Sequence, residues 1–102
     1  MIVSATGTSN GVVRLSVAGE VDMATVGDLE KAMIDAITAD GTAQVTVDIA
    51  EVTFCDSSGL AAFDRSYFLA GRQGVSFRLT SPQPGVRQVL QITGLLETLT
   101  QP

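Results

Sequence analysis

The residue types best suited to chemistry lie together in the short stretch Asp56-Ser57-Ser58-Gly59. The run Val45 to Ile49 before it alternates apolar and polar residues and predicts a strand. The segment Leu60 to Ala70 after it has apolar residues at helical spacing. Such a turn presents a hydroxyl at a helix N-terminus, where free N–H groups and the helix dipole favour an anion. We interpret Ser57 as that hydroxyl and expect it to carry a regulatory phosphate.

The elements around this turn indicate an α/β fold. Ile2 to Thr6 and Val12 to Ala18 read as an antiparallel hairpin, because Asn10-Gly11 between them is a strong turn signal. A stripe of apolar residues from Val26 to Ile37 predicts a helix, which Asp40-Gly41 ends. Asp22 and Thr25 compete as the residue that caps this helix.

The remaining third of the chain continues the alternation of strand and helix. Val75 to Thr80 predicts a strand, and Ser81-Pro82 predicts an N-cap followed by proline in the first turn of a helix, with Pro84 allowing a later start. Leu95 to Thr100 is read as a last strand. We therefore expect a mostly parallel mixed sheet of about five strands, with an N-terminal antiparallel hairpin and three main helices.

A parallel sheet of this kind collects its functional residues at the carboxyl ends of its strands. The turns after Ala18, Ile49 and Thr80 lie at such ends. Glu20, Asp22 and Ser57 are therefore expected to share one rim of the sheet.

Composition excludes several classes of function. The 102 residues suit a single domain spanning 1–102, and the net charge of −5 without a basic cluster argues against nucleic-acid binding. No apolar run is long enough to span a membrane, and no secretory signal is visible, so we expect a cytoplasmic protein. Without histidine, and with the single cysteine Cys55, the chain offers neither a Ser-His-Asp arrangement nor a soft-metal site. We predict no enzyme activity, no cofactor and no metal.

Three motifs in register resemble those of a known family. The segment from Val45 to Leu60, with Asp48 and the string FCDSSGL, is similar to the phosphorylation loop of STAS domains, specifically of bacterial anti-sigma factor antagonists. Gly19-Glu20-Val21-Asp22 with Thr25 resembles the family's motif after the second strand. Ser81-Pro82 through Gly94-Leu95 resembles its closing strand, helix and strand. The resemblance spans about Val12 to Leu99.

The resemblance implies a mechanism. An unphosphorylated antagonist binds an anti-sigma factor, which is a serine kinase, and so releases the sigma factor. The kinase uses Mg-ATP to phosphorylate the first serine after the aspartate, here Ser57, and a phosphatase reverses the modification. Glu20, Asp22, Asp56, Ser58 and Gly59 are then expected to lie in the partner-binding surface.

Several site residues also have a structural interpretation. Ser57 could be a helix cap without regulatory chemistry, and Asp56 either positions Ser57 or the kinase's metal, or caps the helix. Ser58 is the competing phosphoacceptor, although we read it as a first-turn residue that hydrogen-bonds to the backbone. Gly59 is expected to allow another group to approach closely, and Cys55 to be a small buried apolar residue.

Other readings of the whole chain stay open at this point. A STAS subunit of a bacterial ABC-type lipid transporter, or a STAS scaffold protein that is never phosphorylated, would share these motifs. Many relatives continue into a C-terminal helix, whereas this chain stops at Gln101-Pro102. We expect one face or edge of the sheet to be less covered as a result, and the protein to be a monomer or a weak dimer.

Overall fold

A computed structural model describes residues 1–7 and 10–101, so part of the predicted turn between the first two strands, Thr8 and Ser9, and the terminal Pro102 lie outside the described residues. The elements are β1 (Ile2–Gly7), β2 (Val12–Val21), α1 (Val26–Thr38), β3 (Gln44–Cys55), α2 (Ser57–Arg72), β4 (Ser76–Thr80), α3 (Pro84–Ile92) and α4 (Leu96–Thr100).

The sheet has the order β1-β2-β3-β4. Strands β1 and β2 pair antiparallel, whereas β3 is parallel to both β2 and β4. The N-terminal hairpin and the mostly parallel mixed sheet are thereby confirmed. Strand β3 lies in the interior of the sheet, so the turn that follows it starts from the best-supported part of the fold.

One face of the sheet and the apolar stripes of the helices form a continuous core. The buried residues include Leu15, Val17, Val45, Val47, Ile49, Phe77 and Leu79 from the strands and Leu29, Met33, Ile37, Phe63, Ala70, Val86, Leu90 and Leu99 from the helices. Helices α1 and α2 pack against each other. Arg65 of α2 forms a two-pronged ion pair with Glu30 of α1, in which Nε donates to Oε2 over 2.8 Å and Nη2 donates to Oε1 over 2.9 Å. None of the helices in the described residues is both long and apolar enough to cross a membrane.

Strands β2 and β3 are longer than their sequence patterns predict. Strand β2 continues beyond Ala18 to Val21, and β3 continues beyond Ile49 to Cys55. Irregularities in their pairing, between Ser16 and Ala18 and between Gly19 and Glu20, insert extra β3 residues opposite β2. Such bulges break the simple alternation of apolar and polar residues, which is why the pattern ends early in the sequence.

The predicted last strand is wrong, because Leu96–Thr100 forms the short helix α4. Leu99 is fully buried, and its N–H donates to the carbonyl of Leu95 over 2.9 Å. Leu95 and Leu99 are spaced as on one helix face, and a fifth strand would have had to alternate its apolar residues instead. The described residues therefore contain four strands, not five, and a fourth helix.

The predicted cap of α3 at Ser81-Pro82 is also wrong. The helix begins at Pro84, with Gln83 in the N-cap position, so the proline of the first turn is Pro84 and the later start is confirmed. Ser81 has a φ of 60°, which is incompatible with a helical start there. Gln83 instead uses its side chain to donate from Nε2 to the carbonyl of Ala50 over 2.8 Å, which ties α3 to the end of β3.

Candidate functional site

The site is built where β2 and β3 end side by side. Val21 and Cys55 are paired as the last residues of these parallel strands, and Asp22 and Asp56 follow them directly. The N–H of Asp56 donates to the carbonyl of Val21 over 3.1 Å, which fixes the start of one turn against the end of the neighbouring strand. Both aspartates therefore lie at one rim of the sheet, as the parallel topology requires.

Asp56 caps α2 with its side chain. Its Oδ1 accepts from the backbone N–H groups of Ser58 and Gly59 over 2.9 and 3.3 Å. The hydroxyl of Ser58 also donates to Oδ1 over 2.5 Å. The predicted hydrogen bond from this hydroxyl to the backbone is therefore wrong, because the aspartate accepts it instead. This hydroxyl lowers the pKa of Asp56 below its ordinary value against the opposing effect of burial, and the N–H groups of Gly59, Ser58 and Met23 act in the same direction. The cap is therefore charged at neutral pH.

Ser57 is the first residue of α2 and is exposed to solvent. Because Asp56 supplies the cap, the Ser57 hydroxyl makes no hydrogen bond to any residue the structure describes. The oxygen lies at a helix N-terminus, where the dipole favours negative charge. A hydroxyl in this setting is accessible to another protein and is not needed to satisfy the helix.

Gly59 brings the first turn of α2 onto the ends of the strands. A Cβ at this position would lie 2.6 Å from Sγ of Cys55 and 2.7 Å from Cγ1 of Val21, so only glycine allows this approach. The predicted close contact is thus present. Cys55 is buried under the turn, and burial raises the pKa of its thiol to about 11, with the charge of Asp56 adding to the effect. The thiol is therefore protonated and behaves as a small apolar side chain.

The neighbouring loop, between β2 and α1, is held by a different network. Oδ1 of Asp22 accepts from the N–H groups of Ala24 and Thr25 over 3.0 and 3.1 Å. The hydroxyl of Thr25 donates to the carbonyl of Glu20 over 3.1 Å. Thr25 occupies the N-cap position of α1 but makes no capping bond with its side chain. Neither predicted residue caps α1 by its side chain, because both are used to close the turn before it.

Two apolar residues are exposed at this rim, and the sequence pattern did not predict their exposure. Met23 is 83% exposed beside Asp22, and Phe54 is 50% exposed where its strand pairs with Glu20. Glu20 is itself exposed. Phe54 was detectable in principle, because it alternates with the buried Cys55 once β3 is extended to its true end. We call Glu20, Asp22, Asp56, Met23 and Phe54 the acidic rim.

The rim carries the exposed side chains of Glu20, Met23 and Phe54, and Phe54 also lines a cavity of about 190 Å³ together with Val86 and Val89. In residues 1–7 and 10–101, no group of three or more histidine, cysteine, aspartate or glutamate side chains is placed to hold a metal ion. A cavity of about 520 Å³ lies at the opposite end of α2, lined by residues that include Tyr67, Arg72 and Phe77. The arrangement at the rim can therefore present a hydroxyl and a charged, partly apolar contact area to another molecule.

Comparison with known proteins gives consistent results. The family model described as the STAS domain matches residues 4–101. The anti-sigma-F factor antagonist RsfB of Mycobacterium tuberculosis is 33% identical over 89 residues, which cover 87% of this chain and 71% of RsfB.

Solved structures agree with these relatives. An anti-sigma factor antagonist from Mycobacterium paratuberculosis superposes with a TM-score of 0.82 at 31% identity, over 96% of this chain and 81% of that one. The anti-sigma factor antagonist SpoIIAA in its unphosphorylated form gives a TM-score of 0.83 at 21% identity, over 97% and 86% of the two chains, and so shares the fold.

Proposed function

This chain belongs to the STAS domain family, and we propose that it acts in the cytoplasm as an anti-sigma factor antagonist that phosphorylation of Ser57 switches off. The unphosphorylated form binds an anti-sigma factor, which is a serine kinase, and thereby frees the sigma factor. Oγ of Ser57 then attacks the γ-phosphorus of Mg-ATP, ADP leaves, and the serine proton passes to a base of the kinase. A phosphatase reverses the step, and the protein itself is a substrate and not a catalyst.

The observation that carries this proposal is the division of roles between two neighbouring serines. The Ser58 hydroxyl is engaged with Asp56 over 2.5 Å, whereas the Ser57 hydroxyl is exposed and makes no bond within the described part of the chain. A kinase must reach the oxygen that it phosphorylates and must not disrupt the helix cap in doing so. Ser57 meets both conditions, whereas the Ser58 hydroxyl is half-buried and bonded to the capping aspartate.

The phosphate would change the surface and leave the fold intact. It adds about −1.5 to −2 charge and three acceptor oxygens. The N-terminus of α2 accommodates this charge, because the helix dipole favours an anion there. Asp22, Asp56 and Glu20 already make the rim negative, so the added phosphate strengthens the repulsion of an acidic partner surface and adds bulk to the contact area. Met23 and Phe54 supply the apolar contact area that a protein partner would bury in the unphosphorylated state.

The direct test is intact-mass analysis after incubation with the anti-sigma factor kinase of the same organism and Mg-ATP. We expect the unmodified sequence and the matched control Ser58→Ala to gain one phosphate, and Ser57→Ala to gain none. A phosphate that survives Ser57→Ala would contradict the assignment.

The same prediction extends to binding. Ser57→Asp should weaken binding to the anti-sigma factor by roughly tenfold or more, since it adds a further negative charge to a contact area that is already negative. Its melting temperature should stay close to that of the unmodified protein, because the substituted side chain is exposed. Affinity purification should recover a small kinase. Recovery of an ATPase together with a permease would instead assign the protein to a lipid transporter.

A further inference from the structure

The sheet has a second face, opposite the core, and its side chains are polar. In β2 and β4 an arginine precedes a buried leucine, as Arg14-Leu15 and Arg78-Leu79. Because successive side chains of a strand point to opposite faces, both arginines project from the face that the core does not use. Arg14 and its neighbour Ser16 are exposed there, so no helix covers this side of β2.

The strand register places the two arginines in one row. Arg14 of β2 and Arg78 of β4 both pair with Thr46 of the intervening strand β3. Two strand spacings separate their Cα atoms by about 10 Å, which lets two guanidinium groups converge above Thr46. Thr46 is only 3% exposed although it belongs to this open face. The aliphatic parts of long flanking side chains typically cover a central residue in this way.

The charges of this row are not neutralised by the protein. Lys31 and Arg65 are the basic residues held in ion pairs, with Asp35 and Glu30. Arg14 and Arg78 form no ion pair with a residue of the described ranges. Nε of Arg78 is moreover buried without a hydrogen-bond partner there, which is an unfavourable state for a donor.

The surroundings of the row supply hydrogen-bonding groups and one opposing charge. Oγ1 of the buried Thr46 accepts from Nε2 of Gln44 over 3.3 Å, and the hydroxyls of Ser16 and Thr80 flank the row on the neighbouring strands. Asp48 lies one row further along, opposite Ser16 and Thr80, and its Oδ1 accepts from the N–H of Ala50 over 2.9 Å. The carboxylate reduces the positive field but is already engaged with the backbone.

We propose that the row Arg14, Thr46 and Arg78 is the centre of a second docking surface, which binds an acidic segment of a partner protein. Two guanidinium groups bind carboxylates through paired N–H donors, and the surrounding hydroxyl and amide groups suit a polar ligand. A nucleic acid is disfavoured, because neutralising a run of phosphates needs an extended basic surface, whereas the sequence has six basic residues in all and no basic cluster. This surface is separate from the acidic rim, which lies at the strand ends, and the proposal does not depend on the function assigned to Ser57.

The test uses the full chain, isotopically labelled, and a twelve-residue capped peptide of alternating glutamate and serine. Amide resonances of residues in the row should shift on titration at low salt, and the effect should decline as salt is raised. The variant Arg14→Gln/Arg78→Gln should bind the peptide roughly fivefold or more weakly. The matched control Arg72→Gln/Arg87→Gln removes the same charge from exposed arginines elsewhere and should bind as the unmodified protein does.

Several results would overturn the proposal. These are no binding of the peptide at millimolar concentration, equal loss in both double variants, or shifts confined to the acidic rim. Tighter binding of a single-stranded oligonucleotide through Arg14 and Arg78 would also overturn it, in favour of nucleic acid. If the double variant melts early, Arg14→Gln alone serves, because Arg14 is exposed and a twofold or greater loss is still expected.

Discussion

Two strand-to-helix junctions lie side by side in this protein, and they differ although each begins with an aspartate. After β3, the carboxylate of Asp56 accepts from the first turn of α2, and the helix starts at the next residue, Ser57. After β2, the carboxylate of Asp22 accepts from Ala24 and Thr25, and α1 starts only at Val26. The first junction exposes a hydroxyl at a helix N-terminus, whereas the second exposes a methionine on a closed turn.

The two junctions also differ in the residue three positions after each aspartate. At the β3–α2 junction this is Gly59, whose missing side chain lets the helix lie against Val21 and Cys55. At the β2–α1 junction it is Thr25, whose hydroxyl bonds back to Glu20. Thr25 thereby closes the turn, and α1 begins at the next residue, Val26. Gly59 instead lets the first turn of α2, which begins directly after Asp56, lie against the strand ends.

The largest effect is expected from adding a single carbon at this glycine. Gly59→Ala should lower the free energy of unfolding by about 1–3 kcal/mol, because the new Cβ overlaps two buried side chains. Gly71→Ala is the matched control, since Gly71 lies in the same helix with nothing within 4 Å of the added carbon. It should stabilise the protein by about 0.5–1 kcal/mol. Urea unfolding measures both, and equal stability of the two variants would show that Gly59 is not under packing constraint.

A smaller loss of stability is expected from removing either aspartate, and the two losses should differ. Asp56→Ala should lower the melting temperature by about 5 °C, because two N–H groups of α2 lose their acceptor. Asp22→Ala should lower it by less, since its carboxylate stabilises a turn and no helix terminus depends on it. Thermal unfolding followed by circular dichroism compares them. A larger loss for Asp22→Ala would reverse the roles given to the two junctions.

The smallest effect is a dependence of this stabilisation on pH. The pKa of Asp56 is lowered in the folded state, chiefly by the Ser58 hydroxyl. Its contribution should be complete above the unfolded value of about 3.9 and be lost as the pH falls through the folded pKa. The gap in melting temperature between the unmodified protein and Asp56→Asn should thus be constant from about pH 5 to 7 and shrink below about pH 4. A difference in melting temperature that widens toward acid would contradict the charged cap. The Glu30–Arg65 ion pair is present in both proteins, so its own dependence on pH does not contribute to this difference.

Local patterns in the sequence were sufficient to identify most of the fold and the candidate site. The hairpin, helices α1 and α2, strand β4 and the turn at Asp56-Ser57 follow from period, turn residues and caps, each of which acts over a few residues. The burial of Cys55 was predicted from the same local sequence and is confirmed. These features could be predicted because periodicity, turn residues and caps are visible in residues that are close in sequence.

What the tertiary structure decided depends on contacts between distant segments. The helix at Leu96–Thr100 forms where Leu99 meets the core, and the bulges of β2 and β3 exist only in the pairing of the two strands. The exposure of Met23 and Phe54, and the common row of Arg14 and Arg78, likewise arise from register and packing. The sequence of a segment determines which of its faces is apolar and can be buried. Which other segment packs against that face depends on the order and register of the strands in the folded sheet.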